Sequence, residues 1–161
     1  MPRTPPRQVE EMGELFEDVR EFLVSPASGK VIQAGDDHVS IFMHIYNPHV
    51  TVAPINGIVK RIRYEKGGFK PAFMRSSRSN SRNIVEISTS FGDVRVIQIA
   101  GFFTRKIICS VRVGQMVAKG FKLGKICFGS RVDVEFPPDF NVVVREKEKV
   151  KHGKSVIAVL L

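Results

Sequence analysis

The feature that most constrains this chain is a succession of short β-branched runs from Leu23 onward, separated by Gly, Asn and Pro. Runs of this length with frequent turn signals are typical of an all-β sandwich or barrel. A length of 161 residues suits one domain with a small extension. No apolar stretch approaches the roughly 20 residues of a membrane-spanning helix, and no signal peptide is recognisable. The sequence therefore predicts a mainly β domain that does not cross a bilayer.

The first 23 residues differ in character from the rest. Residues 1–8 are rich in Pro and Arg and are expected to be extended. Over 9–23, apolar residues recur at three- and four-residue spacings with Glu and Asp between them, which predicts an amphipathic helix that ends before Pro26. We therefore divide the chain into an extended segment and helix, 1–23, and a β domain, 24–161.

A weak internal repeat runs through the β region. Residues 111–126 and 143–159 each contain a β run, a polar turn, a Val, a two-residue spacer, a Gly and a returning apolar run, and residues 53–69 share the first half. Repeated hairpins of this kind cover one another's apolar faces. With Gly at the corners, the pattern resembles the flattened barrel or sandwich of the biotinyl/lipoyl carriers, and we expect that architecture.

The net charge of +9 favours an anionic partner, either nucleic acid or a membrane surface. Most Phe residues lie in apolar runs, whereas nucleic-acid readers interleave aromatic with basic residues. The basic loop 75–82 carries no recognised nucleic-acid motif, so no such partner is predicted. Cys109 and Cys127 lie in apolar runs without metal-binding spacing, which predicts buried, reduced thiols and no metal.

The first candidate for chemistry is the Gly129-Ser130 pair inside an apolar strand. Gly weakens a strand interior, and such a pair is often only a β-bulge. Alternatively, the Ser130 hydroxyl could attack the Gly129 carbonyl and convert the amide into an ester. Elimination would then leave a chain that begins with a pyruvoyl group.

Two further segments contain residues suited to catalysis or anion binding. His49 follows an apolar strand, and His is the usual acid/base near neutral pH, although a His in a loop is often only solvated. The small pair Ala100-Gly101 allows close backbone packing. Arg105 and Lys106 after it could hold a phosphate or form an ordinary solvated pair.

Seven motifs in order strengthen these assignments: SPASGKV at 25–31, IFM at 41–43, HVTVAP at 49–54, GFKPA at 68–72, NSRN at 80–83, QIAGFFTRK at 98–106 and FGSRVDVEFP at 128–137. Together they resemble the phosphatidylserine decarboxylase family in its short archaeal-type branch, which includes archaetidylserine decarboxylases. The similarity covers residues 24 to 161, and the motif at 128–137 is its most specific part.

The resemblance implies a phospholipid carboxy-lyase that cuts itself between Gly129 and Ser130. The cofactor would be the pyruvoyl group made from Ser130, without a metal, and it would form a Schiff base with the amine of phosphatidylserine or a related aminophospholipid. Carbon dioxide then leaves and the ethanolamine lipid is released. His49 matches the family histidine that acts as acid or base, and Arg105 and Lys106 would contact the phosphate or headgroup.

The resemblance also implies where such a protein would work. A cytoplasmic protein bound peripherally to an anionic membrane surface is expected, because basic residues are attracted to anionic lipid. The amphipathic helix over 9–23 would add a surface contact. Association into a homo-oligomer through exposed edge strands is also expected.

Four positions depart from the family pattern. Ser28 and Asn47 stand where the family has Asp, Val52 stands where it has Arg or His, and Ser81 stands where it has Glu. The resemblance gives the Asp at position 28 a part in activating the serine that cuts the chain. Two states therefore stay open: a working decarboxylase with altered activation, and an uncleaved relative that binds anionic lipid or a protein.

Overall fold

The computed structural model describes residues 8–9, 18–44, 46–67, 80–101, 106–126 and 129–161. Within these ranges the regular structure is β. The strands are β1 Glu21–Val24, β2 Gly29–Ala34, β3 His38–Phe42, β4 Val50–Val52, β5 Gly57–Glu65, β6 Arg82–Thr89, β7 Gly92–Ile99, β8 Ile107–Cys109, β9 Met116–Val117, β10 Lys122–Ile126, β11 Arg131–Glu135, β12 Asn141–Val142, β13 Lys149–Val150 and β14 Val156–Leu160. The mainly β prediction is confirmed. No helix in these ranges has the length and apolarity that a membrane span requires.

The strands form three antiparallel sheets. The large sheet has the order β13-β2-β3-β11-β7-β6-β5-β9 and curls into a half-barrel. Two three-stranded sheets, β1-β14-β12 and β4-β10-β8, complete the described fold. Strand β11 occupies the middle of the large sheet and pairs with β3 on one side and β7 on the other.

The two faces of the large sheet are used differently. Because side chains alternate along a strand, Val132 and Val134 of β11 point into the main hydrophobic core. Arg131 and Asp133 lie on the opposite face, yet they are also buried. Ile84, Ile97 and Ile99 form a second apolar cluster, separate from the main core. Both faces of β11 are therefore buried, although its sequence, RVDVE, alternates like that of a half-buried strand.

The repeat predicted between 111–126 and 143–159 is part of an interleaved duplication, in which residues 52–59 correspond to residues 24–31. Copy A consists of residues 24–31 and 145–154, and copy B consists of residues 52–59 and 112–121. Each copy joins the start of a long strand to a two-residue edge strand, β13 on β2 and β9 on β5. In copy A, the Lys147 N–H donates to Val31 O at 2.7 Å, and in copy B the Gly114 N–H donates to Val59 O at 2.7 Å. Likewise, the Gly153 N–H donates to Ser25 O at 2.9 Å in copy A, and the Gly120 N–H donates to Ala53 O at 2.8 Å in copy B.

The two copies also contact each other reciprocally. The Val24 N–H donates to Pro54 O at 3.0 Å, and the Val52 N–H donates to Pro26 O at 2.8 Å. Each copy therefore donates the same backbone hydrogen bond to the other, as the two subunits do in the self-complementary interface of a two-fold dimer. Position 28 in copy A corresponds to position 56 in copy B.

Two expectations require correction. The helix predicted over 9–23 is wrong at its end, because Glu21–Val24 is strand β1 and pairs with β14; residues 10–17 lie outside the described residues. Pairing with β14 satisfies the backbone of this segment, and this tertiary contact overrides the helical spacing. Cys109 is exposed, not buried, because β8 is an edge strand of its small sheet. Cys127 lies outside the described residues.

Candidate active site

Five of the seven motifs found in the sequence meet at one end of the large sheet, and GFKPA at 68–72 lies outside the described residues. Arg131 pairs with Phe42 and with Ile99, and those two residues pair onward with Lys30 and Arg82. The segments that adjoin this row on one side are therefore neighbours. They are 28–29, 43–44, 80–81, 100–101 and 129–130.

The Gly129-Ser130 bond is held by the end of β3. The Gly129 N–H donates to Met43 O at 2.9 Å, and the Met43 N–H donates to Ser130 O at 2.9 Å. Ser130 is fully buried. Gly129 has φ +74°, a left-handed conformation that glycine adopts without steric cost. The carbonyl of Gly129 therefore lies between two fixed hydrogen bonds, where the partly exposed Gly129 meets the fully buried Ser130.

Gly101 packs against that same carbonyl from the other side. A Cβ at position 101 would lie 2.0 Å from the Gly129 oxygen, so only glycine fits here while the carbonyl keeps its position. The close backbone packing predicted for Ala100-Gly101 is thus explained by a specific neighbour. Ala100 is itself fixed, because its N–H donates to Ser81 O at 2.9 Å.

A buried ion pair follows the Gly129-Ser130 bond directly. Arg131 donates to Asp133 through Nε to Oδ1 at 2.6 Å and through Nη2 to Oδ2 at 2.9 Å. Nη2 also donates to Ser40 Oγ on the neighbouring strand at 3.2 Å. Arg131 and Asp133 are 1 % and 2 % exposed. A two-point contact of this kind fixes side-chain geometry, so it anchors β11 immediately after Ser130.

The segment that contains His49 is tied to the same region. The Ile126 N–H donates to His49 O at 3.0 Å, which places His49 beside the strand that leads toward Gly129. Gln98 donates to Thr51 Oγ1 at 3.3 Å and accepts from Asn83 Nδ2 at 3.3 Å, all three being buried. This polar chain links three motifs through the interior.

Comparison with known proteins identifies the fold's relatives. A profile described as phosphatidylserine decarboxylase matches residues 8–158. The chain belongs to the phosphatidylserine decarboxylase family.

Individual relatives agree with this family assignment. A Methanosarcina mazei protein, provisionally named archaetidylserine decarboxylase proenzyme, is 45 % identical over 139 residues, which cover 86 % of this chain and 67 % of that protein. A Syntrophus aciditrophicus protein named phosphatidylserine decarboxylase proenzyme is 40 % identical over 148 residues, covering 84 % of this chain and 70 % of that protein. The chain thus spans about two thirds of the length of these relatives. No solved structure matches it.

Ser28, one of the altered positions in this family member, forms a pair with His152. Ser28 Oγ lies 2.6 Å from His152 Nδ1 and accepts the His152 backbone N–H at 3.0 Å. In copy B, Asn56 Oδ1 accepts the Lys119 N–H in the same way. Burial lowers the pKa of the His152 imidazole below its ordinary value of 6.5, and the charge of Lys154 lowers it further.

The other altered positions of the decarboxylase-family chain have structural partners of their own. Asn47 Oδ1 accepts the His44 N–H at 2.8 Å, and Ser81 Oγ accepts the Gly67 N–H at 3.0 Å. Val52 is buried in β4. The polar side chains of Asn47 and Ser81 are therefore stabilised by backbone hydrogen bonds, and the apolar side chain of Val52 by burial.

The basic pair after the QIAG motif is described only in part. Arg105 lies outside the described residues, and Lys106 is exposed. In the described part of the chain, no group of three or more His, Cys, Asp or Glu side chains is placed to hold a metal ion.

A cationic cavity beside this strand end was missed by the sequence reasoning. It has a volume of about 700 Å³ and is bordered by Ser28, His44, Asn47 and His152, together with five lysines. The available signal was the alternation of lysine over 147–151, which places Lys147, Lys149 and Lys151 on one side of an extended segment.

Proposed function

We propose that this protein is a self-processing decarboxylase that converts phosphatidylserine, or a related aminophospholipid such as an archaeal one, into the ethanolamine lipid. The observation that carries the proposal is the Gly129-Ser130 bond, which ends in the fully buried Ser130, is held by Met43 and is packed against Gly101. Relatives named decarboxylase proenzymes support the same reaction.

Self-cleavage would begin with attack of Ser130 Oγ on the Gly129 carbonyl carbon. The C–N bond breaks as the C–O bond forms, and the hydroxyl proton passes to the released Ser130 nitrogen. Elimination across the Ser130 side chain then frees the Gly129 carboxylate, and water replaces the nitrogen, which leaves as ammonia. The products are chains 1–129 and 130–161, the second with a pyruvoyl group at its start. Glycine at 129 and 101 leaves room for the tetrahedral carbon.

The residues around Ser130 fit a pyruvoyl group at this position. Ser130 is fully buried, so the group would be shielded from water, and the anchored Arg131 would fix its direction. When formed, the pyruvoyl carbonyl withdraws electrons from the lipid's amine-bearing carbon as carbon dioxide leaves. His49 would exchange the proton that replaces the carboxyl group, and Arg105 and Lys106 would contact the headgroup.

The small chain would stay bound after cleavage. β11 pairs with β3 and β7, β13 pairs with β2, and β14 pairs with β1, so every sheet contact of the small chain except β12–β14 is to a strand of the large chain. The cut would therefore leave the two chains held together by these strand pairs.

The type of barrel, the binding to a membrane and the oligomeric state also belong to this proposal. The interleaved duplication supports a flattened barrel of the biotinyl/lipoyl-carrier type, with 1–23 as an extension and 24–161 as the β domain. A charge of +9 supports peripheral binding to an anionic membrane from the cytoplasm. The edge strands β13 and β9 would allow a homo-oligomer.

A turnover assay tests the proposal. The purified protein is incubated with vesicles that contain phosphatidylserine or archaetidylserine, and the carbon dioxide and the ethanolamine lipid are measured. We expect equal amounts of both products, and none with the Ser130→Ala variant. Vesicle binding without either product from a chain that stays intact would instead support the uncleaved binding module.

A further inference from the structure

The internal duplication produces two equivalent cavities that differ in the charge of the residues that line them. The first, in copy A, is the cationic cavity of about 700 Å³. The second, in copy B, has about 770 Å³ and is lined mainly by apolar side chains. Seven lining positions correspond in the two cavities, and at four of them copy A has lysine where copy B has an apolar residue, copy A first: Lys30 with Ile58, Lys149 with Met116, Lys151 with Ala118 and Lys154 with Phe121. The pairing of Lys149 with Lys30 and of Met116 with Ile58 fixes this correspondence.

The presence of lysine at these four positions concentrates positive charge at one end of the sheet. Lys147 adds a fifth ammonium group to the same wall. In the described part of the chain, no acidic side chain borders the cavity and none of these five lysines forms an ion pair. Copy B shows that the fold itself does not require cations here. The presence of five lysines that repel one another therefore needs another explanation.

Lys147 strengthens this argument because its backbone is strained. It has φ +76°, the one non-glycine residue with positive φ in the part of the chain that the structure describes. Its counterpart in copy B is Gly114, with φ +91°. A lysine kept in a conformation that suits glycine indicates that the side chain serves a purpose at this place.

Glu148, in the same segment, is directed into a turn. Glu148 Oε1 accepts the Arg145 N–H at 2.8 Å and closes the turn before β13. In copy B, Gln115 Oε1 accepts the Arg112 N–H at 3.1 Å in the same way. The turn therefore accounts for the Glu148 side chain. The lysines are the residues of this segment whose charge borders the cavity.

We infer that this cavity is a phosphate-ester site, and that its ligand is the phosphodiester of the lipid headgroup. The inference rests on the proposed function and names how its site would hold the substrate. Lys30 is two strands from Arg131 across the sheet, which at the usual strand spacing is about 10 Å. Both products of cleavage would contribute, with Lys30 from the large chain and the other four lysines from the small chain.

The test exchanges copy A residues for their copy B counterparts. The Lys30→Ile/Lys149→Met variant installs side chains that the same local fold already accepts at positions 58 and 116. The matched control, Arg112→Met/Lys122→Met, removes two exposed cations, one from copy B and one that directly follows it. All are made in the Ser130→Ala background and titrated calorimetrically with glycerophosphoserine and, separately, with inorganic phosphate.

We expect glycerophosphoserine to bind, inorganic phosphate to compete with it, and the copy A double variant to weaken both by on the order of tenfold. The control should stay within about twofold, and both variants should keep the parent's unfolding midpoint. Equal weakening by the two double variants would overturn the site in favour of general surface charge. Binding of inorganic phosphate without glycerophosphoserine would overturn the headgroup assignment.

Failure of this inference can be separated from failure of the proposed function. The same double variants, with Ser130 restored, are examined for self-cleavage by mass. A protein that cuts itself but binds phosphate independently of Lys30 and Lys149 would retain the proposed function and lose the phosphate site. A protein that binds phosphate but never cuts itself would lose the proposed function.

Discussion

Gly101 and the carbonyl of Gly129 are packed so closely that a Cβ at position 101 would lie 2.0 Å from the carbonyl oxygen. The first prediction follows from this contact. Gly101→Ala should slow self-cleavage by at least about tenfold, because the added methyl group must displace the carbonyl that Ser130 attacks. The rate is measured as the disappearance of the intact chain on a denaturing gel.

Gly57→Ala is the matched control for that variant. Its Cβ would lie 2.4 Å from Ser88 O, a similar collision in copy B far from the cleavage bond. If Gly57→Ala slows cleavage as much as Gly101→Ala, the effect is general destabilisation and the specific role of Gly101 is refuted.

The buried Arg131–Asp133 pair predicts a large loss of stability. Asp133→Asn in the Ser130→Ala background should lower the free energy of unfolding by about 3–5 kcal/mol, because the Arg131 charge loses its partner inside the protein. Urea denaturation measures it. Asp93→Asn, which breaks the exposed Lys60–Asp93 pair, should change little. Replacing both Arg131 and Asp133 by Leu should recover most of the loss, and equal losses in the single and double variants would contradict this account.

The strain at Lys147 predicts a variant that gains stability while it loses binding. Lys147→Gly should raise the free energy of unfolding by about 1 kcal/mol, since glycine adopts positive φ without the steric cost of a side chain. Lys147→Ala removes the charge but keeps the Cβ, so it should not be stabilised. Both should bind glycerophosphoserine more weakly. A gain in stability by Lys147→Ala as large as that of Lys147→Gly would show that charge repulsion, not backbone strain, is relieved.

The lowered pKa of His152 predicts a pH dependence of stability. Burial and the nearby Lys154 favour the neutral imidazole in the folded protein, so the unfolded chain binds a proton more readily. Stability should therefore be fully present above pH 6.5 and decline as the pH falls below it. Unfolding midpoints from pH 7.5 to 5 should fall more steeply for the parent than for His152→Gln. Parallel curves for the two proteins would mean that His152 does not contribute.

The strands and the repeat could be predicted from the sequence because each depends on local spacing. Contacts between distant segments could not be predicted in this way. Ser28 and His152 are 124 residues apart and meet only through the pairing of β13 with β2. The cationic cavity likewise needs Lys30 beside Lys149. The helical spacing up to Leu23 was misleading, because pairing with β14 decides the structure of that segment.

Intact mass under denaturing conditions tests the central claim most directly. The account predicts two chains, 1–129 and 130–161, with the smaller one blocked at its start and lighter by ammonia than simple hydrolysis would give, because Ser130 becomes a pyruvoyl group. The Ser130→Ala protein should remain whole. A single 18.0 kDa chain that persists on prolonged incubation, or a small chain that begins with an ordinary serine, would contradict the account.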